Sequence, residues 1–166
     1  MIRRVRECDI ERCLDVIHQS FETVAREFGL TTENCPGHTS FMRIERLNRQ
    51  FAENGLMFCC ELQGEIIGYF SLNDNGRGAF ALENLAVLPE FRHRGIGGEM
   101  VQFAADFAAD SGAPKIEIGI IDESATLKSW YQKLGFVQTG MQKFPHLPFT
   151  VGFMELAITK DTTCEG

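Results

Sequence analysis

The residues most able to do chemistry lie between positions 82 and 98, which read Leu82-Glu83-Asn84-Leu85-Ala86-Val87-Leu88-Pro89-Glu90-Phe91-Arg92-His93-Arg94-Gly95-Ile96-Gly97-Gly98. An apolar strand-like run passes into a short loop rich in Arg and Gly and then into a helical pattern. The start of a helix carries unpaired N–H groups and a partial positive charge, which suits an anion such as phosphate. Glycine lets main chain approach a ligand closely, and Arg92 and Arg94 add charge able to hydrogen-bond phosphate. Two familiar phosphate loops do not fit. No Gly-Lys is followed by Ser or Thr, as a Walker loop requires, and the frame is R-x-x-G-x-G rather than G-x-G-x-x-G. Taken alone, such a turn is also what an ordinary helix start looks like. The strand before it and the segment 129–136 after it favour a binding role.

The elements that would position this loop follow from periodicity. Ile2 to Arg6 reads as a first strand, and Asp9 can cap a helix whose Ile10, Leu14, Ile17 and Phe21 share one face. Asn34-Cys35-Pro36-Gly37 is a strong turn signal. A second helix is expected from Thr39 or Ser40, with Phe41, Ile44, Leu47 and Phe51 as its stripe and Gly55 as its C-terminal stop. Leu56–Leu62, Ile66–Leu72 and Ala79–Val87 form an antiparallel meander. A helix follows the Arg/Gly loop, carrying Met100, Val101, Ala104, Phe107 and Ala108. Then come a strand at Lys115–Ile121, a helix at Ser124–Leu134, and strands at Phe136–Gln142 and Val151–Ile158. The order β-α-α-β-β-β-α-β-α-β-β describes an α+β domain with a central, mixed but mostly antiparallel sheet of about seven strands and about four helices. One domain over 1–160 and a flexible tail over 161–166 are expected.

Composition limits the alternatives. Sixteen basic and 23 acidic residues leave a net charge of −7, which argues against a surface built to grip nucleic acid. No apolar run approaches the roughly 20 residues of a membrane span. The N-terminus, with Glu7 and Asp9 close behind its arginines, does not read as a secretion signal. Cys8, Cys13, Cys35, Cys59, Cys60 and Cys164 contain no C-x-x-C pair. They read as reduced, mostly buried thiols of a cytoplasmic protein, and no metal site is expected from their spacing.

Leu85-Ala86-Val87-x-Pro89-x-x-Arg92-x-x-Gly95-x-Gly97 resembles the acyl-CoA-binding motif of the GNAT superfamily of N-acetyltransferases. Tyr131-x-x-x-Gly135-Phe136 looks like that family's second motif, and the two stand in the expected order. The resemblance extends over nearly the whole chain and implies a GNAT-like fold. It implies that the backbone of Leu85, Ala86 and Val87, on a splayed strand, pairs with the pantetheine arm of acetyl-CoA as an added strand would. It also implies that the loop Arg92, His93, Arg94, Gly95, Ile96, Gly97 and Gly98 wraps the pyrophosphate. For Leu85 and Val87 ordinary core packing is expected as well, since side chain and backbone do different work.

The implied reaction is direct acetyl transfer to a primary amine. Tyr131 matches the family tyrosine that protonates the departing thiolate, and amphipathic packing is its plainer reading. Ser124 stands where many relatives carry an Asn that contacts the cofactor, and it can also cap its helix. Glu83 is the favoured base, placed two residues before Leu85 and so on the same strand face. Glu117 is the competitor, and a substrate amine that arrives neutral would need neither. The acceptor pocket would come from residues 28–41 and 144–149, with Cys35, His38 and His146 as polar members. Nothing there names the acceptor, though an acidic protein suits a cationic one. A homodimer through the last strands is one reading of Phe144, Leu147, Phe149 and Phe153, and core burial is the other. Two further classes stay open: a CoA-binding sensor without turnover, which would have no use for Tyr131, and a phosphotransferase, for which the Walker lysine and a metal-binding carboxylate pair are missing.

Overall fold

The computed structural model describes residues 1–159, so Cys164 and the whole of the expected tail lie outside the described residues. The strands are β1 (Ile2–Arg4), β2 (Leu56–Leu62), β3 (Glu65–Asp74), β4 (Phe80–Val87), β5 (Lys115–Ile121), β6 (Val137–Lys143) and β7 (Thr150–Ala157). The helices are α1 (Ile10–Phe28), α2 (Ile44–Ala52), α3 (Ile96–Asp110) and α4 (Ala125–Lys133). All seven strands form one sheet in the order β1-β2-β3-β4-β5-β7-β6. Its neighbours are antiparallel except β4 and β5, which are parallel. The expected element order and mixed sheet are therefore present.

Helices cover both faces. Alternation along β3 sends Gly68, Phe70 and Leu72 to the α3 face, where a Cβ on Gly68 would lie 3.0 Å from Met100 Sδ. There Phe58, Phe70, Phe103 and Phe107 pack ring against ring, with centroids 5.0–6.2 Å apart. Tyr69 and Ser71 point the other way. The Tyr69 hydroxyl reaches Gln50 Oε1 of α2 at 3.4 Å, so α2 lies on that second face.

Four local readings are corrected. β1 stops at Arg4, because the Asp9 carboxylate takes the Arg6 N–H at 2.8 Å and binds the Arg3 guanidinium at 2.8 Å. Asp9 therefore closes a 3-10 turn at Glu7–Asp9 instead of capping α1 through its side chain. The second helix starts late. Thr39–Phe41 is a single 3-10 turn, Met42 and Arg43 are extended, and α2 begins only at Ile44. At its far end the left-handed residue is Asn54 (φ 56°), not Gly55. Gly55 is needed for space, since a Cβ there would stand 2.6 Å from Gln50 Cγ.

Candidate active site

β4 and β5 meet at only two positions, Phe80↔Ile116 and Ala81↔Glu117. Beyond them the strands part, and Leu82 through Val87 have no partner on that side. The gap is not fraying. β4 stays registered to β3 up to Val87↔Gly68, and Leu88 N–H continues to Ile67 O at 2.9 Å. β5 is paired with β7 over its whole length, from Lys115↔Ala157 to Ile121↔Val151. Two well-held strands therefore border a wedge with unpaired peptide groups along one lip, a slot suited to an extended amide-bearing chain. The side chains along this lip serve the core, as expected: Ala86 is buried, and Leu85 and Val87 pack on the main cluster.

The Arg/Gly loop lies at the open end of the wedge. Pro89–Phe91 makes a 3-10 turn, and α3 then starts at Ile96 with no side-chain cap. The N–H groups of Ile96, Gly97 and Gly98 thus keep no intrahelical acceptor. His93 (φ 62°) and Gly95 (φ 81°) are both left-handed. For His93 this is an uncommon conformation, and alternation of hand across Arg94 is the geometry that gathers successive N–H groups into an anion-binding concavity. Arg94 is exposed and stacks over the Phe91 ring at 5.2 Å.

Arg92 is different. Its Nη2 donates to Ser20 O at 2.8 Å and Ser20 Oγ at 3.1 Å, its Nη1 to Thr23 Oγ1 at 3.0 Å and its Nε to Val87 O at 3.3 Å. The guanidinium is half-buried and ties the loop to α1 through these contacts. The small residues also divide their tasks. A Cβ on Gly97 would come within 3.0 Å of Trp130 Cζ2, whereas one on Gly98 would meet only Leu134 Cδ2 at 3.9 Å. Gly97 therefore lets α3 and α4 pack closely inside the protein, before any ligand is considered.

α4 carries the second motif. Ser124 caps it, accepting from Leu127 N–H at 3.4 Å, so the capping half of its expected role is present. Tyr131 is buried between Trp130 and Phe136, with ring centroids at 4.8 and 5.2 Å in edge-on contact. Burial pushes its phenol well above the ordinary tyrosine value, which keeps it protonated at neutral pH.

Glu83 does not share a face with Leu85. The register runs Tyr69↔Ala86 and Ser71↔Glu83, so three steps along β4 match two along β3. Asn84, at φ 55°, sits in this bulge. Glu83 therefore faces with Tyr69, Ser71 and Ala86 toward α1 and α2, while Leu85 turns with Val87 toward α3. Sequence alternation missed the bulge, although an Asn inside an apolar run was a signal for it, since Asn tolerates the left-handed region. Ser71, opposite Glu83, is fully buried and its hydroxyl has no hydrogen-bond partner among the described residues. Glu117 lies at the closed end of the wedge, 3.2 Å from Lys115 Nζ, and accepts from Asn75 Nδ2 at 2.9 Å.

The other candidate residues divide between core and cleft. Cys35 joins Ala25, Leu30 and Ile121 in a small satellite core that Leu147 and Phe149 also cover. His38 caps the Thr39–Phe41 turn, with Nδ1 accepting the Ser40 N–H at 3.3 Å and lying 2.7 Å from Ser40 Oγ. That bonding leaves its proton on Nε2, and burial lowers its pKa. Thr39 Oγ1 donates to Asn84 Oδ1 at 3.2 Å, which fastens the turn to the bulge. His146 is exposed beside Phe144. No helix among the described residues is long and apolar enough to cross a membrane.

Known proteins share this architecture. Two N-acetyltransferases without assigned substrates are similar in sequence. One, from Methanocaldococcus jannaschii, is 27% identical over 52% of this chain, which spans only 41% of that protein. The other, YhfO of Bacillus subtilis strain 168, is 24% identical over 67% of this chain and 75% of its own. Among solved structures, the ribosomal-protein-S18-alanine N-acetyltransferase of Escherichia coli superposes with a TM-score of 0.76 at 14% identity, covering 99% of this chain and 97% of that one. YncA of Salmonella typhimurium, described as an acetyltransferase and solved with its cofactor acetyl-CoA, superposes at 0.69 and 20% identity over 96% of this chain and 94% of that one. The model of the acetyltransferase (GNAT) family matches residues 19–136, from the middle of α1 through the wedge, the Arg/Gly loop and the α4 motif, and the chain belongs to that family.

Proposed function

We propose that the protein is an acetyl-CoA-dependent N-acetyltransferase that transfers acetyl directly to a primary amine. The observation that carries this reading is the wedge: two strands, each held by its other neighbour, that part after Ala81 and Glu117 and open toward an uncapped helix start. That combination suits a ligand with a pyrophosphate at one end and an amide-bearing arm. Leu85, Ala86 and Val87 would offer backbone to the arm. His93 through Gly98 would offer N–H groups to the phosphates, with Arg94 as an exposed cation beside them and Arg92 holding the loop in shape.

Bound acetyl-CoA would supply a thioester. The side chains supply proton transfers. Glu83, on the α1/α2 face, takes a proton from the incoming ammonium, directly or through water. Tyr131 gives its hydroxyl proton to the departing sulfur, and its raised pKa keeps that proton in place until needed. Glu117 is a poor base because Lys115 and Asn75 already occupy both carboxylate oxygens. Incubation with acetyl-CoA and a panel of amines, followed by free-thiol release, tests the reading. CoA binding without turnover of any amine would favour a sensor. No CoA binding, or equal affinity for ATP, would remove the reading altogether.

Assembly as a homodimer fits the outer strands. Leu147 and Phe149 are occupied in the satellite core, but Val137, Met141 and Phe153 on β6 and β7 stay exposed beside the open edge of the sheet. Sedimentation showing only an 18.7 kDa species at micromolar concentration would exclude it.

A further inference from the structure

A cleft of about 460 Å³ opens between the Thr39–Phe41 turn and α2, and its charge is opposite to that of the protein. Arg43, Arg46 and Arg49 line it, spaced three apart so that successive helical turns present a guanidinium to the same side. Glu45 is the one acid on the wall and lies 3.7 Å from Arg43. Arg46 and Arg49 have no carboxylate within 4.0 Å among the described residues, although acidic residues outnumber basic ones by 23 to 16.

The cleft adjoins the chemistry. Gln50, one turn beyond Arg46 on the same side of α2, is hydrogen-bonded to Tyr69 at 3.4 Å. Tyr69 shares its sheet face with Ser71, whose cross-strand partner is Glu83. The turn that forms the other wall is fastened to the β4 bulge through Thr39 and Asn84.

From this arrangement we infer that the acceptor is an amine whose own skeleton carries a carboxylate or phosphate, its anionic end held by Arg46 and Arg49 and its amine directed to Glu83. The inference deepens the acetyltransferase reading and rests on it for the position of the amine. It reverses the expectation of a cationic acceptor drawn from net charge. Net charge is a sum over the whole surface, whereas recognition depends on the few groups within a Debye length of about 8 Å. Guanidinium is the group that holds carboxylate or phosphate in two parallel bonds.

Two measurements test this. In the first, the protein is saturated with CoA to occupy the Arg/Gly loop, then titrated with inorganic phosphate and with glutarate while the His38 ring resonances are followed. Saturable shifts are expected, weakened at least about tenfold in an Arg46→Gln/Arg49→Gln variant, the loss of about one charged hydrogen bond. Both side chains are exposed, so the variant should fold, and an unchanged melting temperature confirms it. Shifts that do not saturate, or that persist in the variant, overturn the inference. In the second, acceptors are compared in pairs, phosphoethanolamine against ethanolamine and β-alanine against its amide. The anionic member is expected to show the lower KM at similar kcat, and the variant to abolish the difference. A preference for the neutral or cationic member overturns the inference. If CoA binds and neither these pairs nor any amine of the wider panel reacts, the transferase reading fails, and the anion titration alone decides whether the cleft binds anions.

Discussion

The two sides of the wedge are built from different materials. On the α3 side the candidate donor site is made of main chain: unpaired peptide groups of β4, the N–H groups of Ile96 to Gly98, and the left-handed turns at His93 and Gly95. On the α1/α2 side the candidate acceptor site is made of side chains: Glu83, His38, Arg46 and Arg49, mounted on a turn, a short helix and a bulge. A backbone site tolerates drift in most side chains provided a few glycines and one tyrosine remain. A side-chain site changes its ligand with a handful of substitutions. This difference explains why sequence resemblance identifies the first and is silent about the second.

The sharpest break of that contrast is Tyr131→Phe. The hydroxyl makes no hydrogen bond among the described residues, so the fold and CoA affinity should be unchanged while kcat falls by about 10²–10⁴-fold. kcat and kcat/KM for the amine should fall together. Because the phenol pKa is raised, its protonated form persists past the ordinary tyrosine value near 10. The wild-type rate should therefore show no descending limb from this group below about pH 10. A thiolate with pKa about 8.5 can leave unaided, so a minor effect at rate-limiting chemistry would reduce Tyr131 to a packing residue.

Next in size is the pair Glu83→Gln and Glu117→Gln. The first should lower kcat/KM by about 10²-fold, and the second should leave it unchanged. The reverse result would move the base to β5 and dissolve the distinction between the two sides. Arg92 and Arg94 divide the donor side itself. Arg92→Met should destabilise the fold by about 2 kcal/mol, since Ser20, Thr23 and Val87 lose a buried donor. Thermal melting reads this. Arg94→Met should leave the melting temperature alone and weaken CoA binding about tenfold by calorimetry, the loss of one charge-assisted contact. If Arg92→Met instead spares stability and abolishes CoA binding, its guanidinium turns toward the ligand.

The smallest expected effect is the most selective. Gly98→Ala meets nothing closer than 3.9 Å inside the protein and should raise helix stability by about 0.5 kcal/mol. If CoA lies against this turn, binding must weaken even as the protein becomes more stable. Gly97→Ala cannot make that distinction, because its methyl strikes Trp130 first. Gain of stability with unchanged CoA affinity in Gly98→Ala would place the ligand elsewhere.

Much of this was legible in the chain. Period-two and period-3.6 patterns located each strand and the four helices among the described residues, and the bounds of β2 and β5 fell at Leu56–Leu62 and Lys115–Ile121 as read. The R-x-x-G-x-G frame and Tyr131-x-x-x-Gly135-Phe136 identified the family, because backbone geometry demands those residues wherever they occur. What failed were places where one side chain overrode a period. Asp9 captured the Arg6 N–H and shortened β1. The 3-10 turn at Thr39 interrupted a helical stripe. Asn84 took a left-handed conformation and turned Glu83 away from Leu85. Hydrophobic period does not register such events, since each is a polar contact made by one side chain, either to a near neighbour as Asp9 makes to Arg6 or across the fold as Thr39 makes to Asn84. The destination of Arg92 and the gathering of Arg43, Arg46 and Arg49 on one cleft with the Thr39–Phe41 turn are decided by the packed chain. Charge and spacing are written in sequence, but which charges face one another is a property of the packed chain.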